Sequence, residues 1–285
     1  MSTDLPFDRR LRRQRRDRSA ASVGDGDYLS KLMGDELLDR LDLVTRDFRQ
    51  ALDLGCGAGY LSGRLRARGI DVVAADSGFS FARMAGGVQC DEDRLPFADA
   101  TFDLIVSAGA LDGVNDLPGA LALIRRVLKP DGLFLASFAG AGSLPALRSA
   151  MLAADAADGK GTSPRLHPQI DVRTAGDLLA RAGFALPVAD SHRLAIRFES
   201  LSQLIGDLRA IGGTNILSLR SGRALGRLGF AAATADFAAQ VEEDGRTTEY
   251  IEIVSLIGWG PAPNQPQPAR RGSGSASLAE ALRPK

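Results

Sequence analysis

Short apolar runs alternate with segments of helical spacing between residues 51 and 137. The apolar runs are rich in Val, Ile and Leu and read ALDL (51–54), DVVAA (71–75), GVQC (87–90), FDLIVS (102–107) and GLFLAS (132–137). Segments 59–68, 78–85 and 116–128 lie between most of these runs and have helical patterns. Strands that alternate with helices are typical of βαβ crossovers, so the pattern predicts an α/β fold with a parallel sheet.

The flanking segments predict more helices and further strands. Residues 35–48 are predicted to form an amphipathic helix that places Leu37, Leu41, Val44 and Phe48 on one face. The second half predicts a helix and loop at 142–169, helices at 174–184, 199–215 and 223–243, an apolar run at 184–189, and strands at 192–198 and 248–260. The helix at 174–184 begins with a Thr/Asp capping box. Residues 261–285 are rich in Pro, Gly, Ser, Gln and Arg, which predicts a disordered tail.

The composition is that of an ordinary globular protein, but the charge is unevenly distributed. The 285 residues are 45% hydrophobic and 25% charged, and the formal net charge is zero. Seven arginines lie between Arg9 and Arg18, and with Asp8 and Asp17 they give residues 7–18 a local charge of +5. A basic field over the whole protein is absent, which argues against nucleic acid as a partner.

The cysteine content and the expected lack of targeting segments predict a cytoplasmic protein. Two cysteines, Cys56 and Cys90, give neither a disulfide framework nor the ligand pairs of a structural zinc site. We expect no membrane span, because the longest apolar run is short, and no secretory signal, because no apolar segment follows the arginines. The Arg-rich start resembles a mitochondrial transit peptide, but acidic residues interrupt it.

A glycine loop after the first predicted strand carries the strongest chemical signal. In LDLGCGAGYL, Asp53 precedes glycines at 55, 57 and 59, with Cys56 inside the loop. Such a loop before a helix lets the backbone approach polar or anionic ligand groups. A nicotinamide fingerprint requires Gly or Ala where this chain has Tyr60. The spacing D-x-G-x-G-x-G resembles motif one of class I S-adenosylmethionine (SAM) methyltransferases.

Acidic residues follow the glycine loop in the order that such a fold needs. Asp76 ends the second predicted strand, 17 residues after Gly59, where a carboxylate can accept from both ribose hydroxyls. The segment CDEDRLPFADATFDLIVS (90–107) resembles that of the methyltransferase type 11 family. This resemblance implies that Asp91 accepts from the adenine amino group and that the Glu92 N–H faces the ring. Ser77 and Ser107 complete the predicted cofactor-binding residues.

The resemblance implies a Rossmann-like, seven-stranded α/β fold of class I methyltransferases. Its strand order is 3-2-1-4-5-7-6, with an antiparallel seventh strand, which the run at 248–260 fits. We divide the chain into a basic N-terminal arm (1–34), a SAM-binding domain (35–260) and the tail (261–285). Helical lid insertions at about 140–170 and 190–248 would form a roof over the substrate side.

A closer resemblance covers nearly the whole chain. The motifs FDRRLRRQRRDRSA, ALDLGCGAGYL, CDEDRLPF, VNDLPGAL, LKPDGLF, DLRAIGGTN and IGWG are similar to the methyltransferase-fold assembly factors of respiratory complex I. The malonyl-carrier-protein O-methyltransferases of biotin synthesis are more distantly similar. Because the assembly factors are credited with hydroxylating an arginine, the resemblance implies SAM binding more firmly than methyl transfer.

The segment after the fourth predicted strand departs from the family pattern. Asp112 and Gly113 stand where the family tends to place His and Trp beside the reacting centre. Asp112 is the one acidic candidate for catalysis there, although a solvated turn is the alternative interpretation. Methyl transfer depends mainly on orienting the acceptor and needs no universal base. We predict no metal site; a two-histidine, one-carboxylate iron site would require His167 and His192, 25 residues apart, to converge.

Three functions fit these signals. The first is SAM-dependent methyl transfer to a protein, a carrier-bound acyl group or a small metabolite. The second is a SAM-binding assembly factor for complex I, acting by arginine hydroxylation or as a chaperone-like binder, which the whole-chain resemblance favours and the lack of a metal-ligand cluster opposes. The third is RNA methylation through the arginine arm, which the zero net charge opposes.

The arginine-rich stretch itself is predicted to be a helical lid. Phe7 and Leu11 lie one helical turn apart and would anchor the helix, while some arginines face an acidic partner or the rim of the pocket. A lid of this kind predicts that removing residues 1–20 lowers the affinity for SAM or for a partner.

Overall fold

A seven-stranded mixed sheet forms the centre of the fold, in the order that the resemblance implies. The computed structural model describes residues 5–21, 24, 27–159, 161–221 and 224–266. The strands are β1 (Gln50–Leu54), β2 (Asp71–Asp76), β3 (Val88–Gln89), β4 (Phe102–Ala108), β5 (Leu128–Ala139), β6 (Ala185–Phe198) and β7 (Thr247–Trp259). They are arranged β3-β2-β1-β4-β5-β7-β6. Strands β1 to β5 pair in parallel, and β7 is antiparallel to both of its neighbours.

Helices cover both faces of the sheet. They are α1 (Arg9–Ala20), α2 (Tyr28–Asp42), α3 (Tyr60–Ala67), α4 (Phe79–Met84), α5 (Leu117–Val127), α6 (Pro145–Asp158), α7 (Val172–Arg181), α8 (Leu201–Ala210) and α9 (Arg227–Ala238). On one face, Leu121 of α5 packs in a buried cluster with Phe134 of β5. On the other, Leu37 of α2 and Leu65 of α3 pack with Leu135 of β5. Alternate residues of β5 thus serve opposite layers, as the strand period of two requires.

A separate apolar cluster builds the roof. Helices α6, α8 and α9 pack together through residues such as Ala150, Leu204 and Phe237. These three helices lie in the two segments predicted as lid insertions. Residues 190–198 of the second segment do not belong to a helical insertion, because they are part of strand β6 and pair with β7.

Several predicted boundaries were wrong. The runs at 184–189 and 192–198 form the single strand β6, which pairs with β7 along most of its length. Helix α2 begins at Tyr28, inside the predicted arm, and ends at Asp42, while Val44 and Phe48 still pack on the core.

The start of α7 also differs from the predicted capping box. Asp171 is the N-cap, and its carboxylate accepts from the Thr174 N–H at 2.9 Å and from the Thr174 hydroxyl at 2.9 Å. An anionic cap is favoured at a helix N-terminus, so the helix starts two residues earlier than predicted. Most of the predicted disordered tail, residues 267–285, lies outside the described residues.

Candidate functional site

The predicted glycine loop joins β1 to α3 at the carboxyl edge of the sheet. Gly55, Gly57 and Gly59 have φ angles of 79°, 52° and 83°, which L-residues rarely adopt. At Gly55 a Cβ atom would lie 2.2 Å from the Cβ of Ala110, so close packing also demands glycine there. Gly59 is the N-cap of α3. The N–H groups of Gly55 and Cys56 donate to the Ala75 carbonyl, and the Gly57 N–H donates to Asp76. The loop is therefore fixed to the end of β2, and the N-terminus of α3 faces the space beyond the strand ends.

Asp53 and Cys56 are buried on either side of the first loop glycine. Asp53 accepts a 2.6 Å hydrogen bond from the Ser62 hydroxyl, and burial raises the pKa of this carboxyl to about 6. Cys56 packs against Ala74, and burial raises the pKa of its thiol, so it remains protonated. Both side chains line the same cavity.

Asp76 ends β2 and receives four N–H donors. The Arg16 side chain donates from Nε to Oδ1 at 2.7 Å and from Nη2 to Oδ2 at 2.5 Å. The backbone N–H groups of Gly57 and Gly78 donate at 3.0 and 2.7 Å. Burial by itself would raise the pKa of Asp76, but Arg16 and these N–H groups hold the pKa below its ordinary value. Asp76 is therefore a buried anion at neutral pH.

Asp91 and Glu92 follow β3 and also bind arginines of α1. The Arg13 side chain donates to Asp91 Oδ2 at 2.6 Å, and Arg9 Nη1 donates to the same oxygen at 3.1 Å. Arg12 forms a bidentate pair with Glu92, at 2.5 and 2.8 Å. Although burial opposes ionisation of Asp91, Arg13 and Arg9 lower its pKa.

The arginine-rich segment thus lies directly over the predicted cofactor carboxylates. We call the residues Arg9, Arg12, Arg13 and Arg16 of α1 the arginine face. They recur at helical spacing, which the sequence displays, but their acidic partners lie 60 to 84 residues away along the chain. The expectation that some arginines face the pocket rim is confirmed.

A small apolar contact anchors the start of α1, also as predicted. Phe7 is buried with Ile216 and Leu217, and Leu11 packs on this cluster. The Asp8 N–H donates to the Ile216 carbonyl at 2.8 Å, and the Asp8 side chain caps α1 by accepting from the Leu11 N–H. The helix is therefore joined to the roof segment that follows α8.

A cavity of about 160 Å³ lies between the glycine loop, α1 and the roof. Asp112 lines it, and burial raises the pKa of this carboxyl to about 6 although Arg12 lies nearby. His167 lines it from the opposite side, with its ring edge-on to Phe7 and its Nε2 accepting from the Ile216 N–H. Burial and neighbouring arginines lower the pKa of His167 to about 4, so the ring is neutral.

The remaining predicted site residues lie outside this cavity. The Ser107 hydroxyl donates to the Leu54 carbonyl at 2.8 Å and links β4 to β1. Ser77 is buried beside Asp76, and its hydroxyl has no hydrogen-bond partner within the described part of the chain. His192 lies on β6, where it pairs with Glu36. Among the described residues, no group of three potential ligands could hold a metal ion.

The carboxylate acceptors of this site fit the hydrogen-bond donors of the adenosine half of SAM. Asp76 accepts from a pair of donors through both oxygens, and the two ribose hydroxyls of SAM are such a pair. Asp91 accepts from N–H donors, as it would from an adenine amino group. The loop glycines leave the backbone free to approach a ligand.

Comparison with known proteins agrees with this geometry. Residues 52–136 match the family model described as a methyltransferase domain. The chain is 33% identical over 285 residues to "Arginine-hydroxylase NDUFAF5, mitochondrial" of Danio rerio, covering 96% of this chain and 88% of that protein. It is 30% identical over 266 residues to the malonyl-[acyl-carrier protein] O-methyltransferase of Laribacter hongkongensis, covering 86% and 87% of the two chains.

A solved structure supports the fold independently. The putative methyltransferase BH2331 of Bacillus halodurans superimposes with a TM-score of 0.56 at 17% identity, covering 80% of this chain and 100% of that one. The fold and the domain match together define an enzyme with the class I methyltransferase fold, whose cofactor is SAM. Within this class, the chain belongs to the SAM-dependent methyltransferase family that includes NDUFAF5 and the malonyl-carrier-protein O-methyltransferases.

Proposed function

We propose that the chain transfers a methyl group from SAM to a protein, a carrier-bound acyl group or a small metabolite. One observation carries this proposal. The glycine loop, Asp76 and Asp91 meet at the carboxyl ends of neighbouring strands, where open α/β sheets bind their ligands. The cavity beside the glycine loop is also lined by Asp112, His167 and Ile216, which supports an acceptor site on this side of the sheet.

The proposed cofactor contacts follow the chemistry of each group. Asp76 accepts from the ribose hydroxyls, Asp91 accepts from the adenine amino group, and the Glu92 N–H faces the ring. The backbone of the loop contacts the amino-acid part of SAM, with Asp53 held in place by Ser62. Ser107 links β4 to the end of β1 just before the loop, and the Ser77 carbonyl accepts from the Gln89 side chain in the turn after Asp76. The proposed cofactor-binding set is Asp53, Gly55, Cys56, Gly57, Gly59, Asp76, Ser77, Asp91, Glu92 and Ser107.

Asp112 is the proposed proton acceptor for an acceptor group that must lose a proton. When bound, SAM supplies an electrophilic methyl group, and catalysis depends on placing the acceptor in line with it. Asp112 borders the cavity and, with a pKa of about 6, is largely ionised at neutral pH. Its carboxylate can therefore orient a donor group and accept its proton.

A second candidate function is assembly of respiratory complex I, by arginine hydroxylation or by chaperone-like binding. The similarity to the arginine hydroxylase NDUFAF5 covers 96% of the chain, and so takes in the roof as well as the cofactor-binding half. The substrate of this function would be a protein subunit.

One experiment separates the two functions. Lysate from a strain that lacks the gene is incubated with the purified protein and SAM labelled in the methyl group, and its proteins, carriers and metabolites are analysed by mass spectrometry. Methyl transfer predicts a product heavier by 14 Da plus the mass of the isotopic label, which an Asp91→Ala variant forms more slowly. Hydroxylation predicts that the deletion strain lacks an unlabelled 16 Da modification of a complex I subunit. A normal complex with unchanged subunit masses would refute the assembly function.

The partners and the compartment complete the proposal. We infer a protein or carrier-bound substrate and a cytoplasmic site of action. The two free cysteines support a reducing compartment, whereas the NDUFAF5 relative is mitochondrial by name. None of the described helices has the length and apolar character to span a bilayer. Fractionation of cells that express a tagged full chain tests the compartment, and recovery with the membrane fraction would contradict it.

A further inference from the structure

We propose that the arginine face of α1 is a self-inhibitory plug that competes with SAM for the adenosine-binding carboxylates. In this account Arg16 must leave Asp76 before the ribose can bind. The proposal goes beyond the reaction, because it concerns how the protein controls access to its own cofactor site.

The hydrogen bonds of Asp76 carry the argument. A carboxylate offers about four lone-pair positions, two on each oxygen. Oδ1 accepts from Arg16 Nε and the Gly78 N–H, and Oδ2 accepts from Arg16 Nη2 and the Gly57 N–H. The two backbone donors belong to the site itself, so the two positions that ribose hydroxyls need are those that Arg16 fills. The Arg16 guanidinium and the ribose therefore cannot bind Asp76 at the same time.

The neighbouring carboxylates are covered in the same way. Arg9 and Arg13 supply three hydrogen bonds to Asp91. Arg12 occupies both oxygens of Glu92 and also donates to the Ala110 carbonyl at 3.1 Å. The arginine face thus spans the places proposed for the ribose and for the adenine.

The small volume of the cavity between α1 and the glycine loop also supports the plug. The cavity of about 160 Å³ is smaller than the 300–1,000 Å³ typical of ligand pockets. Arg12 and Arg16 form part of its wall, and the Arg16 guanidinium lies 5.0 Å from the centre of the Phe81 ring. Withdrawal of these two side chains would enlarge the pocket.

The attachment of α1 is suited to release. Within the helix only Ser19 and Ala20 are buried, and most of its polar contacts are ion pairs, with one further hydrogen bond from the Ser80 N–H to Asp17. The apolar anchor lies at the start of the helix, at Phe7 and Leu11. The helix can therefore turn away about this anchor without exposing the core of the sheet. This reverses the sign of the lid prediction, because removing the arginines would strengthen SAM binding.

The first test is calorimetric titration of the full chain with S-adenosylhomocysteine. If a plug-free state is populated at 0.1–10%, removing the plug increases the apparent affinity by ten-fold or more. We expect Arg16→Gln to bind at least about tenfold more tightly than the wild type. Arg10→Gln, which makes the same charge change at an exposed position of α1, should bind like the wild type. Unchanged or weaker binding by Arg16→Gln would overturn the plug.

The second test uses the wild-type protein and so does not depend on the folding of a variant. Hydrogen–deuterium exchange at the amides of α1 should become faster when S-adenosylhomocysteine is added, because the ligand displaces the helix. Slower exchange would show a lid that closes over the ligand and would refute the plug. If none of the proteins binds the ligand, the cofactor site is refuted as well, whereas binding that Arg16 does not affect refutes the plug alone.

Discussion

Removing one partner of the ion pair between Arg16 and Asp76 should destabilise the protein strongly. Both side chains are shielded from water, with exposed fractions of 12% for Arg16 and 0% for Asp76. The perturbation is a double-mutant cycle made of Arg16→Ala, Asp76→Ala and the combination of the two. Each single substitution leaves one buried charge without its partner.

The expected magnitude follows from burial. Breaking a buried ion pair by removing one partner lowers the free energy of unfolding by about 3–5 kcal/mol. Asp76→Ala should fall near the lower end, about 3 kcal/mol, because Arg16 lies on a helix that can turn toward water. Removing both charges relieves the penalty, so the double variant should be more stable than the sum of the two effects, by about 0.5–3 kcal/mol.

Guanidinium unfolding followed by the fluorescence of Trp259, the only tryptophan, measures all four proteins. Equal slopes with denaturant are the control that the four unfold alike. The pH dependence of stability follows from the lowered pKa of Asp76 in the folded protein. The contribution of Asp76 to the free energy of unfolding is complete above the ordinary pKa of 3.8, and it is lost as the pH falls through the folded pKa. Additive effects of the two single substitutions would refute the pairing.

Three other substitutions test separate parts of the site. Gly55→Ala forces a Cβ to within 2.2 Å of the Ala110 Cβ, so thermal melting should show a larger loss than for Gly57→Ala, whose added Cβ would meet nothing within 4 Å; equal losses would contradict the close approach. Asp112→Asn should reduce kcat by about 10²-fold or more and abolish the rise of wild-type rate with pH around 6, and an unchanged profile would exclude Asp112 as the base. Asp53→Asn should stabilise the protein at pH 8 but not at pH 4. The pKa of Asp53 in the folded protein is about 6, so ionisation of this buried carboxyl opposes folding above that pH. Equal melting temperatures of wild type and variant at pH 8 would contradict this effect of burial.

The sheet and the glycine loop could be predicted because their signals are local. The apolar runs define β1, β2, β4 and β5, and the glycines at positive φ define the turn into α3. The strand order came from the resemblance, since spacing alone does not say which strands are neighbours.

The contacts that cross the chain could not be predicted from local pattern. Arg16 and Asp76 are 60 residues apart, and the arginine spacing says nothing about which carboxylates it meets. The contact between His167 and Phe7 could not be predicted either, because it depends on a roof segment of irregular sequence. Strand β6 appeared as two separate runs because its residues are mostly exposed and only its pairing with β7 makes it continuous.

A crystal structure of the full chain with S-adenosylhomocysteine tests the central claim most directly. We predict that the ribose hydroxyls bind Asp76, that the adenine amino group binds Asp91, and that the Arg16 guanidinium is withdrawn from Asp76. An adenosine group bound elsewhere, or one that leaves Asp76 and Asp91 without contact, would contradict the assignment of the cofactor site.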